Sequence, residues 1–369
     1  MQAGHAHGTA SLPKPPRNDI LFAMTHRVTL HPSASPFDCA PGQAILKAGL
    51  AAGLRLPFSC RSGMCRTCKG RVVSGQVDFG DAHVKYLSEA ERAQGFALLC
   101  CASPLSDLVV EVDEIDPDRH LAPQRMPARV LSFEAPASDV RIVTLGLPAN
   151  EPVQFRAGQF IDVLRPDGTR RSYSIATMPE AAGVRQLELH IRHMPGGVFT
   201  DHVFGPMKLR EIWQIEMPLG SFYLREDSAS PMVMLCSGTG FAPIQSMIED
   251  SLARGLSRSI HLYWGGRSRA DLYRADQARA WAAAHTHIQF TPVLSAATAQ
   301  DAWDGRTGLV HQAVLQDHPD MSTMQVYACG APAMVEAARR DFVAQAHLPE
   351  AQFFADSILS AADQVTSPT

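Results

Sequence analysis

Apolar and polar residues alternate from His26 to Leu30, the period of a half-buried strand. Ala40-Pro41-Gly42 marks a turn. Gln43 to Ala52 then carries Ile45, Leu46, Leu50 and Ala51 at helical spacing. Pro57 to Lys69 is polar and cysteine-rich, which predicts a loop. Gly70 to Val77 returns to strand, Val84 to Gly95 reads as helix with Ser88 as N-cap ahead of Glu91, and Leu105 to Val112 is strand again. Residues 24–117 therefore form one strand–helix–loop–strand unit.

Asp118 to Pro127, with Pro123 and Pro127, reads as a linker over 118–127. Short strands follow at Ala128–Phe133, Val140–Leu147, Phe160–Leu164, Arg171–Ala176, Gln186–Ile191 and Glu211–Met217, parted by turns such as Pro166-Asp167-Gly168. Many short strands with regular turns predict a small antiparallel barrel over 128–228. The pattern changes at 229–358. Strands at Met232–Cys236, Ile260–Trp264, Ile288–Leu294 and Gln325–Ala328 alternate with helices reaching Leu252, around Asp276–Ala284, near Gly308–Leu315 and over Ala331–Ala344. Such alternation predicts a parallel sheet covered on both faces. No internal repeat is visible.

The ends carry less pattern. Residues 1–23 are rich in Gly, His, Ala and Pro and lack an apolar core, so they read as a disordered leader rather than a secretory signal, with Met24 a candidate start. His5, His7 and His26 are read as solvated rather than metal-binding. Residues 359–369 read as a tail. The net charge of −4 over 369 residues is too small to point to nucleic acid or a membrane surface. No run approaches the roughly 20 apolar residues of a spanning helix. Hydrophobic residues at 46% suit buried cores. Eight cysteines without a secretory signal suggest a reducing cytoplasm, and clustering then points to metal or redox use.

Cys60, Cys65 and Cys68 stand in C-x4-C-x2-C spacing, and Cys100 and Cys101 lie beyond. This is the spacing of plant-type [2Fe–2S] loops, with three thiolates from a tight loop and a fourth from elsewhere. Gly63 lets the loop close on inorganic sulfide. Zinc is the rival, but it favours paired C-x2–4-C ends. Read as strand, Cys100 and Cys101 point oppositely, so one of them faces the cluster. Cys39, in an early turn, reads as structural.

In the second unit, Arg171-Ser172-Tyr173-Ser174 sets a cation, an aromatic ring and a hydroxyl close together on a strand, able to meet a phosphate, cover a ring and hydrogen-bond. Pro195-Gly196-Gly197-Val198-Phe199-Thr200 presents bare amides ahead of a helix, suited to phosphate. In the third, Cys236-Ser237-Gly238-Thr239-Gly240-Phe241-Ala242-Pro243 follows a strand and opens a helix, again leaving backbone free to approach phosphate. It is not the G-x-G-x-x-G fingerprint.

Together these segments resemble the ferredoxin–NADP reductase-like oxidoreductases with an N-terminal plant-type [2Fe–2S] ferredoxin domain. These include reductase components of multicomponent bacterial oxygenases and CDP-6-deoxyglucoseen reductases. Phe58 to Cys68 is similar to their cluster loop. Leu98 to Asp107 is similar to their closing strand, and the match selects Cys100 as fourth ligand and leaves Cys101 a bystander. Many relatives have Gly where this chain has Arg66, which reads as a surface arginine or as a cation beside the cluster. The resemblance implies FAD, with FMN the alternative. It places Arg171, Tyr173, Ser174, His190, Ile191, Arg192, Gly196, Gly197, Val198, Phe199 and Thr200 along the flavin, and Pro218-Leu219-Gly220-Ser221-Phe222 at the barrel's closing turn. It places Gly238, Thr239, Gly240, Pro243, Cys329 and Gly330 at the nicotinamide cofactor, and Phe354 in the segment beside the flavin that also holds Asp356. Ser174 and Cys329 are the implied catalytic pair, positioning the reacting rings.

Arg267, with Arg269 nearby, would attract a 2′-phosphate, yet relatives that use NADH carry an arginine there. NADH is favoured over NADPH. The implied fold is multidomain: an α+β ferredoxin-like β-grasp domain, an antiparallel β-barrel flavin domain and an α/β parallel-sheet nicotinamide domain. The implied activity passes electrons from NADH through FAD to [2Fe–2S] and on to a partner protein, foremost a Rieske-type aromatic-ring oxygenase or related monooxygenase. The alternatives are a deoxysugar dehydratase as acceptor, or a carrier module without nicotinamide activity.

Overall fold

The computed structural model describes residues 25–117, 120–150 and 152–358. The expected leader and tail fall outside them, as do two residues of the expected linker. Among the described residues, three large sheets and one two-stranded ribbon divide the fold.

The first holds β1 (His26–His31), β2 (Pro36–Cys39), β3 (Lys69–Ser74), β5 (Phe96–Leu98) and β7 (Leu108–Glu111) in the order β2-β1-β7-β3-β5. β1 runs parallel to β7 and antiparallel to β2. Helix α1 (Ile45–Ala51) buries Ile45, Leu46, Ala48 and Gly49 in the core that also takes Val28, Leu30, Leu98, Leu99 and Val110. Two short strands, β4 (Val77–Asp78) and β6 (Ser103–Pro104), pair separately. Helix α2 (Glu89–Ala93) is shorter than the predicted 84–95. Ser88 forms the expected capping box with Glu91 and starts the helix there, so residues 84–87 precede the cap.

The second sheet runs β11-β10-β13-β8-β9-β12, from β8 (Gln124–Ala137), β9 (Val140–Gly146), β10 (Phe160–Leu164), β11 (Arg170–Ser174), β12 (Gln186–Arg192) and β13 (Ile212–Leu219). An antiparallel bridge between Ile175 and Leu189 joins its two edges and closes the barrel. Helix α3 (Val198–Phe204) covers one end. Gln124 to Pro127, expected as linker, are already strand and pair with Met217 to Gln214. Here β8 has a neighbour on one side only, where a residue without an N–H is tolerated.

The third sheet is wholly parallel in the order β17-β16-β15-β14-β18-β19. Its strands are β14 (Met232–Ser237), β15 (Ile260–Gly266), β16 (Ile288–Leu294), β17 (Arg306–Thr307), β18 (Gln325–Gly330) and β19 (Phe353–Ser357). Met232, Met234 and Cys236 face one core and Val233 and Leu235 the other. Helices α4 (Phe241–Ala253), α5 (Ala275–Ala284), α6 (Val310–Asp317) and α7 (Pro332–Gln345) alternate with the strands. Because β14 comes first and lies centrally, strand order reverses between β14 and β18. In open α/β sheets the crevice at such a reversal takes the ligand.

Candidate redox site

The cluster loop leaves the first domain's core at Phe58 and returns at β3. Its backbone enters the left-handed region at Arg61, Gly63 and Arg66 (φ 56°, 76° and 65°). That winding brings the N–H groups of Ser62 and Cys65 to 3.5 and 3.3 Å from Cys60 Sγ, while the Cys60 N–H donates to Cys65 Sγ at 3.5 Å. Hydrogen bonding from the Cys65 thiol, with help from the amides, outweighs burial and lowers the Cys60 pKa to about 5. Leu99 N–H donates to Cys68 O at 3.1 Å, tying the segment that carries Cys100 to the loop. Amide donors aimed at Cys60 sulfur, with Cys60, Cys65, Cys68 and Cys100 near enough to perturb one another's thiols, suit the thiolate donor set of an iron–sulfur cluster.

Cys100 and Cys101 do not stand on a strand. β5 ends at Leu98, and the N–H groups of Cys101 and Ala102 both donate to Leu98 O at 2.9 Å, folding the pair into a turn. Their sulfurs lie 3.7 Å apart, so they do not point oppositely as strand geometry required. Cys101 Sγ fills the space over Gly63, where a Cβ would fall 2.7 Å from it.

The loop is wedged between the other two domains. Phe58 meets Phe160 edge-on at 6.3 Å, and its N–H and carbonyl engage Ser221. Arg61 donates to both oxygens of the buried Asp162, at 2.7 and 2.9 Å, and to Ser172. Thr67 Oγ1 donates to Ala355 O in β19 at 3.1 Å. Arg66 is no surface residue. Its guanidinium is buried and bonds Tyr86 O, Glu91 and Glu350.

On the barrel, Tyr173 is half-buried with its ring 5.6 Å from Phe199, which packs on Trp213. Arg171 is exposed, its guanidinium donating to the neighbouring Arg170 carbonyl at 2.8 Å. Ser174 pairs with Phe160 and so lies one strand from the cluster loop. Gly196 (φ 81°) and the N-cap Gly197 lead into α3 with no side-chain cap, although Asp201 takes the Gly196 N–H at 3.1 Å. Val198 is exposed and Phe199 buried, while Thr200 Oγ1 ties back to Met194 and Gly197.

Two of the expected flavin contacts have their side chains engaged elsewhere. The His190 ring is buried between Tyr273 (2.8 Å) and Glu188 (3.0 Å), and Ile191 belongs to the barrel core, so only main chain remains to meet a cofactor at these positions. Burial outweighs Glu188 and lowers the His190 pKa, which keeps the ring neutral. Arg192 lies across the glycine turn of the third domain, its guanidinium carbon 3.5 Å from where a Gly238 Cβ would be. It is paired with Asp271 at 3.0 Å and Asp139 at 3.3 Å.

At the sheet's reversal point, β14 and β18 end side by side. A Cβ on Gly240 would meet Cys329 O at 2.2 Å, and one on Gly330 (φ 146°) would meet Ser237 Oγ at 2.2 Å. Gly238 has φ 54°, Thr239 is buried, and Pro243 sits in the first turn of α4. Cys329 is buried, and burial, Asp356 and Cys236 together hold its thiol neutral. Asp356 is its register partner on β19. Burial pushes the Asp356 carboxyl up to about 7, with Ser59 countering in part. Phe354, expected at the flavin, lies two residues back along β19. It packs on Tyr327 at 5.1 Å beneath the Arg225 guanidinium at 4.6 Å. The residue beside Cys329 is therefore Asp356. Among the described residues, Ser62 Oγ and Ser357 Oγ are buried without a hydrogen-bond partner, as suits a crevice built for bound groups.

Sequence reasoning did not find the acidic partners Asp162, Glu350 and Asp271. Each meets its arginine across a domain boundary, and no local pattern announces such a pair. Asp271 accepts from the N–H groups of Arg267 and Ser268 at 2.9 and 3.0 Å, and the Arg267 side chain is exposed.

Three families match successive parts of the chain: a 2Fe-2S iron-sulfur cluster binding domain over 28–105, an oxidoreductase FAD-binding domain over 127–223 and an oxidoreductase NAD-binding domain over 234–340. The CDP-6-deoxy-L-threo-D-glycero-4-hexulose-3-dehydrase reductase of Yersinia pseudotuberculosis is 40% identical, covering 91% of this chain and 99% of the relative. The reductase component DmpP of phenol 2-monooxygenase from Pseudomonas sp. is 36% identical, covering 92% and 96%. The crystal structure of the Amycolatopsis cytochrome P450 reductase GcoB superposes with a TM-score of 0.70 at 37% identity, covering 90% and 98%.

Proposed function

The chain belongs to the ferredoxin–NADP reductase-like oxidoreductases with an N-terminal plant-type [2Fe–2S] domain, and on that premise we propose that it is the NADH-dependent reductase component of a multicomponent oxygenase, foremost one of the Rieske aromatic-ring type. It is an oxidoreductase with a [2Fe–2S] domain, an FAD domain and a nicotinamide domain. When bound, these groups supply an electron pair from nicotinamide, a flavin that accepts pairs and releases single electrons, and a cluster that takes one at a time.

The chain's residues need only orient and screen. Arg171 and the main chain at the start of α3 would hold the flavin's phosphates, Tyr173 would cover its ring and Ser174 would bond its edge. The glycine turn at 238–240 would take the nicotinamide cofactor's pyrophosphate, with the neutral Cys329 thiol against the reacting ring. NADH is supported by Asp271: its carboxylate already occupies the amides of the Arg267-Ser268 turn, where a 2′-phosphate would otherwise find donors.

The observation that carries the reading is the wedged cluster loop, joined to the barrel through Arg61 and to β19 through Thr67. A deoxysugar dehydratase as acceptor is the second reading, favoured by the 40% identical reductase matched over almost its full length.

The test is dye reduction with NADH and with NADPH. Cys65→Ser should abolish cluster absorbance and cytochrome c reduction while ferricyanide reduction by the flavin persists. Both activities surviving unchanged would overturn the wiring. Reduced protein mixed with a candidate oxygenase or dehydratase then assigns the acceptor.

A further inference from the structure

Arg66 stands between two cysteines of the loop, in a left-handed conformation, with a side chain only 5% exposed. It bonds Glu91 in its own domain at 2.5 Å and Glu350 in the nicotinamide domain at 2.8 Å. Lys69 reaches the same two carboxylates, at 3.4 and 3.0 Å. Arg339 completes the group on α7, bonding Glu336 at 2.8 Å and Glu350 at 3.4 Å. Glu350 is three residues ahead of β19, the strand that accepts the Thr67 hydrogen bond and sets Asp356 opposite Cys329. One carboxylate of the third domain thus holds two cations of the cluster loop immediately beside the strand that flanks the redox crevice.

We propose that Glu350 is a positioning residue for internal electron transfer: through Arg66 and Lys69 it seats the [2Fe–2S] loop on β19 and fixes the separation of cluster and flavin. The inference rests on the flavin-to-cluster order given above. Charge tuning of the cluster is the competing role for a buried arginine. The group opposes it, because Arg66, Lys69 and Arg339 face Glu91, Glu350 and Glu336, cations and carboxylates matched in number. A neutral group exerts little net field on the cluster but loses its geometry when one acceptor is removed. On the barrel side the Arg61–Asp162 pair makes the same kind of contact, so the loop is held from two directions.

The test leaves the cysteine loop untouched. Holoprotein carrying Glu350→Asp, Glu350→Gln or Glu350→Lys is mixed with NADH under anaerobic stopped flow, and flavin and cluster bleaching are followed separately. Midpoint potential, the EPR spectrum of the reduced cluster and hydrogen exchange over residues 61–69 and 353–357 are measured beside it. The expected result is a graded loss in the cluster step: little for Glu350→Asp, several-fold for Glu350→Gln and at least tenfold for Glu350→Lys. Flavin reduction should keep its wild-type rate and exchange in both segments should rise; the cations left uncompensated in Glu350→Gln and Glu350→Lys raise the cluster potential, which adds driving force, so a slower cluster step reports lost geometry. Cluster reduction at the wild-type rate in Glu350→Lys overturns the proposal, as does equal slowing of flavin and cluster steps or a potential shift that accounts for the loss. A wild-type cluster that NADH never reduces would instead sink the electron order itself.

Discussion

Residue by residue, the site divides into what spacing reveals and what folding decides. Cys60, Cys65 and Cys68 stand out in the sequence because three candidate ligands share one short loop. Gly63 was legible for a related reason: the tight loop needs a residue free of Cβ sterics. Gly63→Ala should cost about 1–2 kcal/mol for the left-handed backbone alone, with the collision against Cys101 Sγ added. Iron and sulfide per chain, measured after purification, should fall. Arg171→Ala should weaken FAD binding by about 1.5–3 kcal/mol, roughly tenfold to a hundredfold in Kd, read by flavin fluorescence on dilution. Cys100 and Cys101 were misjudged because opposite orientation follows only if the backbone is extended, and Leu98 O turns it instead. Phe354 and Asp356 share the segment expected beside the flavin: Phe354 packs on Tyr327, and register with Cys329 belongs to Asp356.

Among the elements, strands of the nicotinamide domain were legible nearly to the residue, since buried parallel strands read as apolar runs between glycines. The barrel strands followed from short runs parted by turn residues. β2, β5, β17 and β19 were not legible, being short or at sheet edges, where neighbours rather than propensity hold them. Helix α2 shows how a cap sets a boundary. Its five residues bury no side chain, so the Ser88–Glu91 box is its main local support. Ser88→Ala should cost about 1 kcal/mol and lower the first domain's melting temperature by several degrees, seen by calorimetry. Glu91 also receives Arg66, so the same variant should raise hydrogen exchange in the cluster loop.

At the scale of the whole molecule, three domain types were readable but their docking was not, because Arg61–Asp162 and Arg66–Glu350 join residues far apart in sequence. The docking carries a pH dependence. Burial acts to raise the Glu91 pKa, but Arg66, through hydrogen bonds and charge, holds it down at about 2 from 4.5. Glu350 is likewise lowered, burial again opposing and Lys69 and Arg66 prevailing. Groups depressed on folding contribute stability above their unfolded pKa and lose it as pH falls through the folded value. The Glu91 contact that holds Arg66 should therefore be intact at neutral pH and fade between about 4.5 and 2, and the Glu350 contact that docks the domains should likewise weaken as the pH falls. Glu350→Gln should flatten that fall when melting temperature is followed against pH. Added salt should act less on the buried Arg66 than on exposed pairs. No helix among the described residues is long and apolar enough to cross a membrane.

The central claim is that one chain carries electrons from nicotinamide through flavin to its own iron–sulfur cluster. Anaerobic titration of the purified holoprotein with NADH, followed by absorbance and by low-temperature EPR, tests it most directly. The account predicts flavin bleaching together with the signal of a reduced [2Fe–2S] centre, one spin per chain at full reduction. Flavin that bleaches while the cluster stays oxidised, or protein that reconstitutes without iron, would contradict it.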